Sequence, residues 1–565
     1  IMDEQLFKKV DIKVQKKSGF DKSHFNILTT KCGTLTPILS DEVIPNTTVD
    51  LKIDLSATLP PLASDTFMRC DLKAEAFFVP YRLCYGGYES WLTGTEIPLN
   101  NGTDTKGKVT MPVLQFAQSA TTSAGTLADY LGYRAVTGTS MSGAKVNILP
   151  FVAYHRIYDD WYRNSLVQKP VFLKVFPNSS SLGANNSGKW NCSVLPYYAY
   201  TDYNNSTYNI ITSNSAYSTL GDGVDITALR QRNFGMDYFT TATPQPQNGD
   251  AQKVSFNIEG MVGQADEVTG SGNFTIAALR AANSMQLFLE RNNLAGNRMV
   301  DFVKAHYGAN LNDGVAQRSL LLGSASFNVY SKGIYQTANN EVNANEQVVN
   351  VTNNPFAGSV GAEFGKAYGS GSDFIIKGFT AAEPGIIMVL VSLVPRVTYS
   401  TGIRRYLTRY IGTPANPNGR NGQVDLANPL LQNTGNQPIY ARELNGKIGD
   451  ANVFGYTDRY ADWKTMDDEL HGLLRDGNSL QSFALQRTFT DTGLTINSNF
   501  LAIPTNYMDQ VAAVQQSISN YGVWIDAYCD YKVSMPLARY AIPSLQDPAY
   551  EHGEDISIQR AGTHL

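Results

Sequence analysis

The sequence predicts a mainly β protein: a jelly-roll-like antiparallel β-sandwich with long inserted loops and a few helices. Three observations support this fold class. Apolar and polar residues alternate with a period of two near both ends of the chain, as in strands with one buried and one solvated face. Helical periodicity is confined to the central part of the chain. The connecting segments are long, nearly uncharged and rich in Asn, Ser, Thr, Tyr and Gly, as is typical of loops.

Four segments carry the strongest strand patterns. In 49–55 apolar and charged residues alternate without exception, and in 68–78 and 523–533 apolar residues again occupy every second position. The segment 385–394 is apolar on both faces, which predicts a central strand covered on both sides. Weaker strand patterns fall near residues 34–39, 253–258, 325–331, 374–379 and 481–489.

Helices are predicted in two places between the strands. Apolar residues recur at helical spacing in 154–163 and in 275–294, where Gly296 follows as a stop signal. A further helix begins near Met299 and ends at Gly308, which we expect to be its C-cap. Its inward side is predicted from the apolar spacing to contain Met299, Phe302, Val303 and His306.

The chain is predicted to form one domain, because the strands of its first hundred and last fifty residues have the patterns of one sheet system. Residues 1–30 are expected to form an N-terminal arm, and residues 31–565 a single jelly-roll domain. Its insertions are expected at about 95–325, which holds helices and polar loops, and at about 337–373 and 405–480.

Charge is unevenly distributed. The net charge of −5 argues against a chain that binds nucleic acid over its whole surface. The first two dozen residues are nevertheless rich in lysine, which indicates either a solvated arm or an arm that contacts phosphates. The candidate genome contacts are Lys8, Lys9, Lys13, Lys16, Lys17 and Lys22.

Motifs for catalysis, cofactors and metals are not found. The five cysteines have no CxxC spacing, and the six histidines make neither an HxH nor an HExxH pattern. The Gly-rich segment 358–372 lacks the Ser or Thr that a phosphate-binding loop needs after its lysine. Asp467, Asp468 and Glu469 are adjacent charges, which more often are solvated than catalytic. The longest apolar run, 385–395, has about half the length of a membrane span, so no membrane insertion is predicted.

Eight parts of the chain, in order, resemble the major capsid proteins of the microviruses, and in particular those of the gokushovirus-like branch. These parts are FDKSHFNILTT with LTPILSDEVIPNTT (20–30 and 35–48), FFVPYRLCYGGYESWLTG (77–94), LPFVAYHRIYDDWYRN (149–164), RNFGMDYFTTATPQPQNGD (232–250), FTIAALRAANSMQLFLERNNLAGNRMVDFVKAHYG (274–308), GIIMVLVSLVPRVTYSTGI (385–403), VFGYTDRYADWKTMDDELHGLLRD (453–476) and DYKVSMPLARYAIPSL (530–545).

The resemblance implies an eight-stranded viral jelly roll whose copies assemble into a T=1 icosahedral shell around circular single-stranded DNA. It implies no enzymatic activity and no cofactor. The implied partners are further copies of the chain, the packaged DNA, a small basic DNA-binding protein, an internal scaffolding protein and a bacterial host receptor. The implied location is the virion, after assembly in the cytoplasm of the bacterial host.

Segment 77–94 concentrates aromatic side chains directly after a predicted strand. Tyr, Trp and Arg often supply the buried anchors of protein interfaces. We therefore predict that these residues fasten the subunit either to a neighbouring copy or to its own inserted helices, and the sequence leaves both alternatives open. The candidate contact residues are Tyr81, Arg82, Tyr85, Tyr88 and Trp91.

Two other functions remain compatible with aromatic-rich polar loops on a β-sandwich. One is a carbohydrate-binding or glycan-processing protein, and the other is a phage receptor-binding or tail protein. The size of the particle in solution distinguishes them, because a shell is far larger than a monomer or a trimer.

Overall fold

The computed structural model describes residues 17–94, 96–98, 106–108, 111, 113–115, 124–133, 145–168, 173–178, 191–196, 228–247, 249, 276–295, 298–314, 316–336, 363–409, 435–514 and 516–537. In chain order, its strands are β1 (Ser18–Asp21), β2 (His24–Thr30), β3 (Thr36–Val43), β4 (Thr48–Thr58), β5 (Cys70–Pro80), β6 (Glu96–Pro98), β7 (Lys106–Lys108), β8 (Val113–Gln115), β9 (Lys145–Asn147), β10 (Leu173–Asn178), β11 (Asn191–Pro196), β12 (Leu320–Gln336), β13 (Glu363–Thr380), β14 (Gly385–Pro395), β15 (Asn436–Tyr440), β16 (Val453–Asp458) and β17 (Val523–Met535).

Eight of these strands form a jelly roll of two antiparallel sheets. The first sheet has the order β2-β17-β4-β13, and the second has the order β3-β14-β5-β12. Strands that are neighbours in space are therefore distant in sequence, as in a double Greek key. The long strand β12 pairs with β5 in its first half and with β13 in its second half, which joins the two sheets into one curled sheet. The predicted jelly roll is confirmed.

The main core lies between the two sheets. Alternate residues of β4 and β17 point into it, among them Leu51, Ile53 and Ile525, and alternate residues of β5 and β14 meet them from the other sheet. Gly323 lies at a bulge of β12 where the strands approach closely: a Cβ atom there would lie 2.0 Å from the carbonyl oxygen of Ile375. The sequence alternation thus defines which side of each strand faces this core.

Strand β14 is buried along its whole length, as the sequence predicted. Its inward residues, such as Val389, belong to the main core. Its outward residues, such as Met388, belong to a second core that the insertion between β5 and β12 supplies. This strand is therefore covered on both sides, because an inserted helix packs on the outer face of the second sheet.

The helices are short except for one. They are α1 (Tyr81–Cys84), α2 (Tyr88–Thr93), α3 (Leu127–Tyr130), α4 (Leu149–Ile157), α5 (Ile276–Ala295), α6 (Met299–Tyr307), α7 (Arg405–Thr408), α8 (Arg442–Asn445), α9 (Ala461–Lys464), α10 (Ser498–Leu501) and α11 (Ser517–Tyr521), with a π-helical turn at Tyr158–Tyr162 and 3-10 turns at Gly472–Leu474, Gln481–Phe483 and Tyr507–Val511. The predicted helices 154–163 and 275–294 are confirmed. The C-cap at Gly308 is confirmed by its φ of 67°.

Several sequence expectations need correction. The segment 481–489 is not a strand: it begins with a 3-10 turn, and only an isolated bridge joins Arg487 to Tyr399. Strand β13 begins at Glu363, so the last part of segment 337–373 is strand and not loop. Residues 18–30, assigned to an arm, form β1 and β2 on the edge of β17. The predicted strand 253–258 and residues 1–16 lie outside the described residues.

Candidate subunit interface

Three of the five aromatic-segment candidates are buried inside their own subunit. Pro80 ends β5 and caps α1 in an extended conformation, which turns the chain back over the second sheet. Tyr81, Tyr85 and Tyr88 then enter the second core together with residues of α4. The Tyr81 hydroxyl donates a hydrogen bond to Glu42 Oε1 at 2.8 Å. Burial and this carboxylate raise the pKa of Tyr81 far above its usual value. These three rings therefore pack on α4 of their own subunit.

Arg82 and Trp91 have different surroundings. The Arg82 guanidinium makes a bidentate ion pair with Glu383, with Nε–Oε2 and Nη2–Oε1 distances of 2.5 and 3.0 Å. The Trp91 ring contacts that of Tyr88 in a tilted arrangement, with centroids 5.8 Å apart and an interplanar angle of 40°, but 41% of Trp91 is exposed. Trp91 therefore has free indole surface for a neighbouring copy, and this contact stays a prediction.

The lysine cluster is described only at Lys17 and Lys22; Lys8, Lys9, Lys13 and Lys16 lie outside the described residues. Lys17 is exposed, and its Nζ donates to Thr48 Oγ1 at 3.0 Å. Lys22 forms an ion pair with Asp41 and lies 5.5 Å from the ring centroid of Tyr531. Of the two, Lys17 is the one whose charge faces solvent, whereas Lys22 stabilises the junction of β17 with β3.

Sequence reasoning missed an apolar surface on the outer face of the β2-β17-β4-β13 sheet. Phe25 and Ile27 are 71% and 80% exposed, and Trp524 is also exposed. The register places Phe25 beside Tyr528, with ring centroids 4.7 Å apart. The signal was present in β2, where Phe25 and Ile27 alternate with polar His24 and Asn26, so that the polar side chains lie on the inner side.

Helices α5 and α6 form a second exposed surface: of the residues predicted to lie on the inward side of α6, Met299 is exposed, whereas Phe302, Val303 and His306 are half-buried. Met299 is 65% exposed and Met285 is 48% exposed, and α6 has no buried residue. His306 does not enter a core: its Nε2 lies 2.6 Å from Asn292 Oδ1, and its ring packs on Phe302. The helical stripe exists, but in the part of the chain that the structure describes it stays exposed or half-buried.

A pocket of about 800 Å³ lies beside α7 and α9 and is lined by Asp467 and Glu469, two of the three acidic residues that the sequence singled out. Its carboxylates are mostly paired: Glu469 binds Arg404 through two hydrogen bonds of 2.7 and 2.8 Å, and Asp462 binds Arg409 at 2.7 Å. Asp467 differs, because burial and the nearby Asp237 carboxylate raise its pKa to about 7. Arginine–carboxylate pairs of this kind are structural networks, which also shift pKa values.

Within the described residues, no group of three or more His, Cys, Asp or Glu side chains is arranged to hold a metal ion. In the same part of the chain, no helix has the length and apolar character to cross a membrane. Burial strongly raises the pKa of the Cys32 and Cys70 thiols, so these cysteines are kept as neutral core residues.

Comparisons with known proteins cover nearly the whole chain. A family model described as "Capsid protein (F protein)" matches residues 9–545. The chain is 23% identical to the capsid protein VP1 of Chlamydia phage 1, over 96% of this chain and 97% of that protein. It is 22% identical to capsid protein VP1 of Bdellovibrio phage phiMH2K, over 94% and 95%, and 24% identical to capsid protein VP1 of Spiroplasma virus 4, over 93% and 94%.

Proposed function

The chain belongs to the capsid protein (F protein) family, and we propose that its copies close a T=1 icosahedral shell around a circular single-stranded DNA genome. As a capsid protein of the microvirus type, it assembles with further copies of itself. The observation that carries the proposal is the strand order of the jelly roll, present together with a family match that runs from residue 9 to residue 545.

Exposed apolar side chains support assembly through protein contacts. Phe25, Ile27 and Trp524 on the first sheet, Trp91 on α2 and Met299 on α6 are all exposed in the single subunit. Exposed aromatic and apolar side chains of this kind mark interaction surfaces, since interface centres are rich in aromatics and Met. A stable contact buries about 800 Å² on each partner, and a closed shell requires several such contacts on every copy.

We further propose that the shell protein has no catalytic role. The acidic residues of the α7–α9 pocket, apart from Asp467, are held in arginine pairs: Glu469 with Arg404, Glu443 with Arg405 and Asp462 with Arg409. The absence of a cofactor requirement remains part of the same proposal.

The proposed partners besides further copies follow from charge and from the family. With a net charge of −5, the shell protein needs cations to enclose DNA, and the lysines of residues 8–22 supply some of them. A small basic DNA-binding protein would neutralise most of the remaining phosphate charge, an internal scaffolding protein would guide assembly, and a bacterial receptor would bind the outer surface. Replacing the six lysines by glutamine should lower the DNA content of purified particles, and an unchanged content contradicts a genome contact.

The deciding experiment is the size and shape of the purified protein. We expect closed particles of megadalton mass or above in sedimentation and negative-stain microscopy. A monodisperse monomer that binds a glycan would instead support the carbohydrate-binding alternative, and a stable trimer would support a receptor-binding or tail protein.

Trp91 tests the predicted contribution of the aromatic segment. Trp91→Ala should lower the yield of particles while the subunit stays folded, because the exposed part of the indole is available to a neighbour. Tyr88→Phe is the matched control, since the Tyr88 ring is already buried in its own subunit. Particles of normal yield and stability from Trp91→Ala contradict the contact.

A further inference from the structure

Helix α5 turns a polar stripe toward its own subunit. Gln286, Glu290 and Asn293 are spaced four and three residues apart, so they share one side of the helix. Asn293 Nδ2 donates to Thr243 Oγ1 at 3.0 Å and to the Gln245 carbonyl at 2.6 Å. The amide of Gln286 bonds to that of Gln247, and the Glu290 carboxylate lies against Gly435. The helix is therefore held to the subunit by hydrogen bonds.

The apolar side chains of the two helices point elsewhere. Phe288 packs on α6, with its ring centroid 5.0 Å from that of His306 and 6.1 Å from that of Phe302. Met285, Phe288, Met299 and Tyr307 nevertheless keep between 41% and 77% of their surface exposed. Of the side chains described in α5 and α6, Asn293 alone is buried. Helices in proteins gain most of their stability by burying an apolar side, and this pair leaves that side open.

We propose that the α5–α6 hairpin packs against a neighbouring copy of the chain in the assembled shell. This inference rests on the proposed function and names one surface that performs it. A helix of 20 residues is about 30 Å long and about 10 Å wide, and α6 adds about 14 Å of the same width. The hairpin thus offers about 440 Å², roughly half of what each partner buries in a standard interface. It forms the centre of a larger contact.

The distribution of charge favours a protein neighbour over DNA at this surface. Arg280 and Arg291 lie on the same side of α5, because 11 residues are about three helical turns, whereas Met285 lies about 140° away from Arg280. The two arginines thus border the surface formed by Met285 and Phe288, and the exposed Leu287 shares their side of α5. An apolar centre with a polar border that includes arginine is the usual anatomy of a protein interface.

Cysteine labelling tests the contact directly. Met285→Cys, made in a Cys192→Ser background, adds one exposed thiol, because Cys32, Cys70, Cys84 and Cys529 are buried. A maleimide probe should label dissociated subunits readily and DNA-free particles at least tenfold more slowly. Equal labelling in both overturns the inference. Protection that occurs only in DNA-filled particles assigns the surface to DNA and also overturns it.

A charged substitution provides the second test. Met285→Glu should leave the melting temperature of the subunit nearly unchanged and lower the yield of particles at least tenfold. Asn283→Glu is the matched control: it adds the same charge to the same helix about 200° away, and its yield should stay within twofold of the original. Undiminished assembly of Met285→Glu contradicts the contact. The original chain forms particles whether or not Met285→Glu does. A negative result with Met285→Glu therefore refutes the hairpin contact and leaves the proposed capsid function in place.

Discussion

Helix α4 and the α5–α6 hairpin belong to the same insertion between β5 and β12, yet their surroundings are opposite. Seven of the nine residues of α4 are buried, and they pack on the outer face of the second sheet. The Tyr154 hydroxyl in α4 donates to the Leu35 carbonyl and accepts from the Arg230 amide, both at 2.8 Å. The hairpin instead uses polar contacts to its subunit and leaves its apolar side exposed. One insertion thus completes the core of the subunit with α4 and presents an exposed apolar surface with the hairpin.

The largest expected effect lies in α4. Phe151→Ala should lower the free energy of unfolding of the subunit by about 3–5 kcal/mol, because it opens a cavity around a fully buried ring. Chemical denaturation of dissociated subunits measures this change. Phe288→Ala in α5 is the matched control, and a partly exposed ring there should cost less than about 1.5 kcal/mol. Equal losses in both variants would break the distinction between the two regions.

A smaller effect is expected from the hydroxyl that ties α4 to the sheet. Tyr154→Phe should cost about 1–2 kcal/mol, since it leaves the Leu35 carbonyl and the Arg230 amide without this partner. The same denaturation experiment measures it. Tyr307→Phe in α6 is the comparison, because its side chain is 77% exposed and should change nothing measurable. A Tyr154→Phe variant as stable as the original would contradict a stabilising role of this hydroxyl.

Asp467 lies in the α7–α9 pocket, outside both α4 and the α5–α6 hairpin. Its titration therefore provides a third site against which the stability of these two regions is compared. Its pKa is raised to about 7, mainly by burial, from an ordinary value of 3.8. Between about pH 4 and pH 7 the folded state therefore binds this proton more strongly than the unfolded chain, and the free energy of unfolding falls as pH rises.

Asp467→Asn should remove that slope. Allowing for partial solvent exposure of the group, we expect a gain of about 1–2 kcal/mol at pH 8 and almost none below pH 4. Thermal melts of dissociated subunits across this pH range measure it. If Phe151→Ala leaves the slope intact while Asp467→Asn removes it, the pocket and the α4 core contribute independently to stability. A slope unchanged in Asp467→Asn contradicts the raised pKa.

The smallest effect is expected at Met299. Met299→Ala should change the free energy of unfolding of the dissociated subunit by no more than about 0.5 kcal/mol, because the side chain is mostly exposed. The loss should appear in the assembled particle, whose resistance to denaturant should fall. If Met299→Ala destabilised the dissociated subunit as strongly as Phe151→Ala does, the hairpin would belong to the subunit core.

Some features of the candidate interface were predictable and others were not. Segment 77–94 was recognisable by its composition, but only the path of the chain after Pro80 placed its three tyrosines in the core and left Trp91 at the surface. In α5 the sequence shows Gln286, Glu290 and Asn293 on one stripe as clearly as it shows the apolar residues. The apolar stripe of α6 was predicted to face inward, because that holds for most single subunits. In the described part of the chain its residues are exposed or half-buried, and a neighbouring copy is the partner proposed for them.

By itself, the sequence determined most strands of the jelly roll, although not β2, and the side of each alternating strand that faces the core, since alternation with period two distinguishes the two faces of a strand. It also determined the three longest helices, the end of α6 at Gly308 and the family. The tertiary structure decided which stripes are covered: the second sheet is covered by α4, and the outer face of β2 and β17 is open. Burial depends on which distant segments fold over a surface, and local periodicity carries no information about that.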